Sequence, residues 1–149
     1  MDAGLGCPDW PGCYGFAIFP MSEAEIAQAN ELYPERKFEL EKAVPEVVHR
    51  YFAGFLGLLI IGLFGLSLYL KPFNSLVTKL TGALVLLVLA QSTFGYLTVS
   101  LKLWPQVVTM HLLGGFATTT LLFLTYMKLK DLDTGSSNSL MISKRSSNL

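Results

Sequence analysis

Two histidines are the residues of this sequence best suited to chemistry, because an imidazole nitrogen can bind a metal or carry a proton. His49 follows Pro45 by four residues, and His111 follows Pro105 by six. Proline is favoured at the start of a helix, so at a rise of about 1.5 Å per residue the imidazoles lie about 6 and about 9 Å from their helix starts. At such similar depths on parallel helices, the two rings could bind one planar metal complex from opposite faces.

Haem iron is the metal that best suits two facing imidazoles. Imidazole is a common axial ligand of haem, and the macrocycle favours apolar walls. A zinc ion usually requires three or four protein ligands, and the apolar stretches contain no cysteine and no further histidine. The alternative is that His49 and His111 only form hydrogen bonds with neighbouring helices. Their similar depth favours the metal.

Three polar residues lie near this pair along the helices. Glu46 is three residues before His49 on the same helix face, where it could orient the imidazole, accept protons or stabilise positive charge on a substrate. Alternatively, Glu46 is an acid in a first helical turn, where the helix dipole favours negative charge. Arg50 could bind a haem propionate, or extend to the membrane surface. Gln91, the most polar residue of its stretch, suits helix packing or a substrate contact.

Cys7 and Cys13 are the only cysteines of the chain, and two prolines and a glycine lie between them. Such residues bend the chain back on itself, which favours a disulfide over the alternative of two free thiols. A disulfide requires an oxidising compartment, so the pair places residues 1–44 outside the cytoplasm. Lysine and arginine lie on both sides of the apolar stretches, so their distribution does not decide the orientation.

The composition indicates an integral membrane protein. Of the 149 residues, 52% are hydrophobic and 15% are charged, against roughly 25% charged in an average soluble domain. Eleven basic residues balance eleven acidic ones, so no basic face is available for nucleic acid. Two cysteines are too few to stabilise a secreted disulfide scaffold of this size.

Three stretches without a charged residue, 51–70, 80–101 and 103–127, can each cross the bilayer. About 20 apolar residues in a helix span a hydrocarbon core of about 30 Å, and a helix satisfies its own backbone hydrogen bonds in lipid. The predicted fold is therefore an all-α membrane protein, a bundle of three transmembrane helices with an extracytoplasmic N-terminal loop segment.

The predicted domain organisation has three parts. Residues 1–44 form the outer loop segment, which carries the cysteine pair and short helices at 23–33 and 35–43. The bundle occupies 45–130, and residues 131–149 form a disordered tail inside the cytoplasm, because they are rich in serine and asparagine and lack apolar periodicity. The three predicted transmembrane helices are about 46–70, 77–101 and 104–128.

Four motifs of the sequence, in this order and spacing, resemble the amino-terminal half of the haem A synthase family, which serves cytochrome oxidase assembly. The first is the loop GLGCPDWPGCYG at 4–15, followed by EVVHR at 46–50. QSTFGYLTV at 91–99 and PQVVTMH at 105–111 complete the set. Each motif is weak alone, but together they are specific, and the resemblance covers roughly residues 4–127.

The resemblance implies an enzyme, a haem A synthase-type oxidoreductase that oxidises the C8 methyl of haem O to the formyl of haem A. It implies that His49 and His111 are the axial ligands of the amino-terminal haem site and that Glu46 is the acidic residue beside it. Cys7 and Cys13 would be the outer-loop pair. The family's carboxyl-terminal half, which supplies a second histidine pair for haem b, has no counterpart here, nor has the family's first helix.

The resemblance also implies a setting and partners. The protein would be a multi-pass protein of the bacterial inner membrane or an equivalent membrane, in contact with lipid, haem O and haem O synthase. A homodimer or a separate second half could complete the bundle. The competing hypothesis is a non-catalytic membrane protein that binds b-type haem through both histidines or transfers electrons. A third is a helical subunit whose histidines only pack.

Overall fold

The computed structural model describes residues 6–69 and 75–146, and this part of the chain contains four helices. They are α1 (Glu23–Leu32), α2 (Leu40–Tyr69), α3 (Ser75–Ser100) and α4 (Pro105–Ser146). The described residues contain no strand, and an isolated bridge joins Cys13 to Phe16. The prediction of an all-α protein is confirmed.

Helices α2, α3 and α4 are long and apolar enough to cross a membrane. Their spanning parts are Leu40–Tyr69, Leu76–Ser100 and Pro105–Gly135. The prediction of three transmembrane helices is confirmed, and the chain is an integral membrane protein. Most side chains of these spans point away from the protein, as is expected where lipid is the solvent.

Helix α1 begins and ends close to the predicted positions. Ser22 is its N-cap, and the Ser22 hydroxyl accepts a hydrogen bond from the Glu25 backbone N–H at 3.3 Å. The Glu25 carboxylate in turn accepts from the Ser22 N–H at 2.9 Å, which completes a capping box. At the other end Tyr33 is the C-cap, one residue before Pro34.

Two helix boundaries differ from the prediction. Helix α2 begins at Leu40, so Pro45 lies inside the helix rather than in its first turn, and the predicted second short helix is reduced to the first turn of α2. Helix α4 continues to Ser146, through the segment predicted to be a disordered tail. That segment contains no proline and one glycine, Gly135. Each further residue can therefore add one backbone hydrogen bond to the helix, and the helix continues.

Helix α3 is the central helix of the bundle, because it packs against both α2 and α4. Among the described residues, no Cα of α2 lies within 8 Å of a Cα of α4. On the α2 side, the hydroxyls of Ser67 and Thr81 share a buried hydrogen bond of 3.1 Å. Gly57 packs so closely on α3 that an added Cβ would lie 3.3 Å from Val88. Small residues thus allow the helices to approach, as is common in membranes.

The residues before α2, 6–39, form what we call the head segment. Its core combines Cys7, Cys13, Tyr14 and Ala29 with Ala43 and Val47 from the start of α2. The Tyr14 ring makes edge contacts with two further rings, and the Tyr14 hydroxyl donates to the Lys37 carbonyl at 3.0 Å. The head segment therefore packs directly on the first turns of α2.

Candidate functional site

The two histidine rings face each other between α2 and α4. The ring centres of His49 and His111 are 6.3 Å apart, and the ring planes cross at 86°. His49 is exposed on α2, and His111 is half-buried on α4. The structure thus brings together two imidazoles separated by 62 positions in the sequence, across a gap that the backbones of α2 and α4 do not close.

This arrangement fits one metal atom held between two nitrogens. Metal–nitrogen bonds to histidine are about 2.0 Å long, so two rings binding one metal have centres roughly 6 Å apart. The His111 Nδ1 is buried and forms no hydrogen bond of normal geometry with a described residue. An unpartnered buried nitrogen is unfavourable unless it binds something. No third histidine, cysteine or carboxylate in the described ranges joins the pair as a metal-binding group, so the donors suit haem better than zinc.

Helix α3 closes one side of the gap with small or flexible residues. Gly95 faces the site, and a Cβ added there would lie 3.6 Å from Cε1 of His111. One turn before it, Gln91 packs against α4 so closely that a Cβ on Gly114 would collide with the Gln91 amide. Gly95 therefore leaves room beside His111, and Gln91 fills the space next to it.

Glu46 and Arg50 bind the head segment to α2, and we call this group the Glu46–Arg50 latch. The Glu46 Oε2 accepts from the backbone N–H groups of Gly6 at 2.7 Å and Cys7 at 3.2 Å. The Glu46 Oε1 accepts from Arg50 Nη2 at 2.6 Å. One carboxylate thus receives three hydrogen bonds, two of them from residues 6–15, which we call the cysteine loop.

The other arginine nitrogen completes the latch. Arg50 Nη1 donates to the carbonyls of Asp9 at 3.0 Å and Pro11 at 3.3 Å, and also to the Gly12 carbonyl. The side chains of Glu46 and Arg50 are only 10% and 14% exposed. Hydrogen bonds that involve charged groups are about twice as strong as neutral ones. The latch therefore fixes the cysteine loop against the helix that carries His49.

The cysteine loop is a compact turn closed by a disulfide between Cys7 and Cys13. Inside it, the Asp9 carboxylate accepts from the backbone N–H groups of Tyr14 at 2.6 Å and Gly15 at 2.8 Å. Gly15 has a φ of +81°, which L side chains rarely adopt. Gly6 lies so close to α2 that an added Cβ would collide with the Lys42 carbonyl.

Burial and neighbouring charges shift the pKa of Tyr14 in the head segment. Burial of the Tyr14 phenol raises its pKa, and the nearby Arg36 guanidinium partly opposes this effect. Carboxylates near Tyr14 also raise the pKa. Tyr14 therefore stays protonated over the physiological range, as donation of its hydroxyl proton to the Lys37 carbonyl requires.

The structure divides the residues singled out in the sequence into two groups. His49 and His111 meet in the bundle, whereas Cys7, Cys13, Glu46 and Arg50 meet at the junction of the head segment with α2. Gly95 was not predicted to lie at the site, although its position within the 91–99 motif was an available signal. The contact between Trp10 and Tyr96, whose ring centres are 5.9 Å apart, was not predicted either. No sequence signal indicates that contact.

The fold and site together define a class: a multi-pass helical membrane protein with a facing histidine pair and a disulfide-closed head segment. Comparison with known protein families assigns the chain to a narrower group. The sequence profile of the COX15-CtaA family, described as Cytochrome oxidase assembly protein, matches residues 1–148. The chain belongs to this family.

A curated relative gives the same assignment. The chain is 47% identical over 127 residues to a protein of Shewanella oneidensis named Heme A synthase. The alignment covers 85% of this chain but 38% of the relative, so the chain spans well under half the length of that protein. No solved structure matches the chain.

Proposed function

We propose that the chain acts in haem A biosynthesis, as the part of a haem A synthase that holds haem O while its C8 methyl group is oxidised to a formyl group. The observation that carries this proposal is the pair of imidazoles, His49 and His111, whose ring centres are 6.3 Å apart between α2 and α4. Membership of the cytochrome oxidase assembly family and the similarity to a protein named Heme A synthase support it.

In this proposal His49 and His111 would hold the haem iron, and the haem would supply a redox-active centre. The contribution of the protein is to bind and orient the substrate. His49 presents its ring from α2, and His111 from α4 uses a nitrogen that forms no hydrogen bond of normal geometry with a described residue. The Gly95 backbone leaves space beside His111 on the α3 side.

Glu46 is the acidic group of the proposed site. It lies almost one turn before His49 on α2, and its carboxylate is fixed by three hydrogen bonds. A fixed carboxylate near the substrate can stabilise positive charge or accept a proton released when the methyl group is oxidised. Arg50 holds this carboxylate in place, and we propose that through it Arg50 supports the binding of the cofactor.

The proposed topology follows from the cysteine pair. A disulfide between Cys7 and Cys13 requires an oxidising compartment, so the head segment lies outside the cytoplasm and the end of α4 lies inside. The partners we propose are haem O, delivered by haem O synthase, and either a second copy of the chain or a separate second half. Labelling of Cys7 and Cys13 with thiol reagents, before and after reduction, tests the disulfide.

Co-expression with a source of haem O, followed by extraction of the pigments, tests the proposed function. We expect a formyl-bearing haem A from the chain and no haem A from either His49→Ala or His111→Ala. A full-length haem A synthase is the positive control. If the control produces haem A and the chain does not, catalysis by this chain alone is rejected.

The second candidate function, b-type haem binding without chemistry at the ring, rests on the same histidines. A purified protein that shows a reversible b-type spectrum and yields no formyl product would favour it over catalysis. A colourless protein whose stability is unchanged in His49→Ala and His111→Ala would reject both candidates, because the histidines would then only pack between helices.

A further inference from the structure

A cavity of about 530 Å³ lies between the head segment and the end of α3. From the head segment it is lined by Pro8 and by residues 32–36, which comprise the last residue of α1 and the turn after it. From the bundle it is lined by Val99 and Ser100 at the end of α3 and by Lys102 in the turn that follows. Its volume is within the range of small-molecule sites, about 300–1,000 Å³.

Two cations line this cavity, Arg36 from the head segment and Lys102 from the turn after α3. Glu35 also lines it, so the charged lining is two cations and one carboxylate. Neither Arg36 nor Lys102 forms an ion pair with a described residue; the two ion pairs in that part of the chain involve Lys42 and Arg50. Both cations are therefore available to an anionic group in the cavity.

The backbone of each of these two residues lies in a hydrogen-bonded turn. The Arg36 N–H donates to the Tyr33 carbonyl at 3.0 Å, in the turn that ends α1. The Lys102 N–H donates to the Val99 carbonyl at 3.1 Å, and Lys102 has a φ of +47°. A positive φ is unfavourable for lysine, so this tight turn fixes the direction in which the chain leaves α3.

The cavity lies one helical turn from the histidine pair. Val99 follows Gly95 by four residues, so both lie on one face of α3, about 6 Å apart along the axis. Gly95 is the residue beside the His111 ring. The face of α3 beside His111 therefore leads, one helical turn further on, to a cavity lined by two cations.

We propose that Arg36 and Lys102 bind the carboxylate groups of the porphyrin that His49 and His111 hold by its metal. A porphyrin of the haem type has an apolar ring with two propionate carboxylates on one edge, and this matches a histidine pair on apolar helices, one turn of α3 from a cavity lined by two cations. This inference rests on the proposed function, because it needs the porphyrin between the two histidines. It assigns to the carboxylates two residues outside the family motifs quoted above.

Arg50 lies closer to His49 in the sequence than Arg36 does, but the Arg50 guanidinium is already hydrogen-bonded to other groups of the protein. Both terminal nitrogens of Arg50 donate to the head segment or to Glu46. A propionate would have to compete with these hydrogen bonds, whereas Arg36 and Lys102 have no carboxylate to release. The direct carboxylate ligands are therefore Arg36 and Lys102, and Arg50 acts through the Glu46–Arg50 latch.

The test compares two porphyrins that differ only in their carboxylates. The full chain in bilayer nanodiscs of zwitterionic lipid is titrated with iron protoporphyrin IX and with its dimethyl ester, and binding is followed by the Soret band. We expect Arg36→Gln and Lys102→Gln each to weaken binding of the free acid about tenfold, as for the loss of a charge-assisted hydrogen bond. Binding of the ester should stay within about twofold.

Two controls separate this inference from the proposed function. Lys37→Gln removes a neighbouring positive charge that does not line the cavity, and it should leave both affinities unchanged. His49→Ala should remove the bis-imidazole spectrum with both porphyrins, because it tests the metal ligand and not the carboxylates. One outcome would support the proposed function and overturn this inference. In it, His49→Ala loses the spectrum, but Arg36→Gln and Lys102→Gln leave the ratio of acid to ester binding unchanged.

Other outcomes also overturn the inference. Equal weakening of acid and ester binding in Arg36→Gln would mean that the variant only disturbs the head segment. A further experiment adds anionic phospholipid to the nanodiscs. If the added lipid weakens binding of the free acid no more than binding of the ester, and the variants change only the retention of that lipid, then the cavity holds a lipid headgroup. A spectrum that survives in His49→Ala would contradict the proposed function itself.

Discussion

The head segment and the membrane helices are stabilised in different ways. The head segment buries a small core around Tyr14, which is 1% exposed, and uses side chains to satisfy its irregular backbone, as the Glu46–Arg50 latch does. The membrane helices satisfy their own backbones and leave large side chains such as Phe52, 71% exposed, facing outward. Each arrangement suits its solvent, because water competes for backbone hydrogen bonds and lipid offers none.

This difference determines how changes in the head segment can reach the histidine pair in the bundle. In the described part of the bundle, α2 and α4 each pack on α3, and no Cα of α2 lies within 8 Å of a Cα of α4. The head segment is fixed to α2 by charged hydrogen bonds one turn from His49. Changes in the head segment should therefore affect the site through the position of α2 rather than through direct contact.

The largest expected effect is the loss of the carboxylate from the latch. Glu46→Ala leaves the mostly buried Arg50 without its acid, and removal of one partner from a buried ion pair costs about 3–5 kcal/mol. Amide hydrogen exchange should rise in the cysteine loop and stay unchanged within α3.

Glu39→Ala is the matched control for that variant. The Glu39–Lys42 pair is exposed, at 58% and 40% of the side chains, and exposed pairs contribute about 0–1 kcal/mol. Similar exchange in the two variants would contradict the view that the latch holds the head segment on α2.

The next effect is removal of the disulfide. A cross-link that closes so short a loop is expected to contribute about 2 kcal/mol through the entropy of the unfolded segment. Cys7→Ser with Cys13→Ser should make the head segment sensitive to proteolysis while the helical circular dichroism of the bundle persists. Loss of helicity in the bundle would show that the two regions do not fold separately.

A smaller effect concerns the buried phenol of the head segment. Because burial raises the pKa of Tyr14 above its value of about 10 in the unfolded chain, the stability it contributes is fully present below about pH 10 and is lost as the pH rises through the folded pKa. Tyr14→Phe should remove this part of the alkaline transition and cost about 1 kcal/mol for the lost hydrogen bond. Thermal melts of the head segment, followed by near-UV circular dichroism between pH 8 and 11, provide the measurement. An identical alkaline profile in both proteins would rule out Tyr14 as its source.

The smallest effect is expected in the bundle. Ser67→Ala removes the interhelical hydrogen bond to Thr81, and such bonds in membrane proteins are worth about 0.6 kcal/mol on average. Unfolding by titration with sodium dodecyl sulfate measures this change. Ser92→Ala is the control, because the Ser92 hydroxyl donates to its own helix at the Val88 carbonyl. If Ser67→Ala lowers the free energy of unfolding by more than about 2 kcal/mol, polar contacts stabilise the bundle as they stabilise the head segment.

The sequence determined which parts of the chain enter the membrane and which residues are available for chemistry. Uncharged runs of 20 or more residues can only be helices in lipid, and the capping box of Ser22 and Glu25 is a local pattern that fixed the start of α1. Local signals did not determine the start of α2. The helix begins at Leu40 and includes Pro45, which costs it a single backbone N–H donor, so the proline does not mark the helix start.

Only the tertiary structure decided what the polar residues contact. The hydrogen bonds from Gly6 and Cys7 to Glu46 join positions about 40 residues apart, and the cavity between Arg36 and Lys102 joins positions still farther apart. Side-chain type and spacing along one helix cannot specify such contacts, because they depend on how the head segment packs on helices from elsewhere in the chain. The same holds for His49 and His111, whose similar depth is a property of the sequence but whose facing rings are a property of the fold.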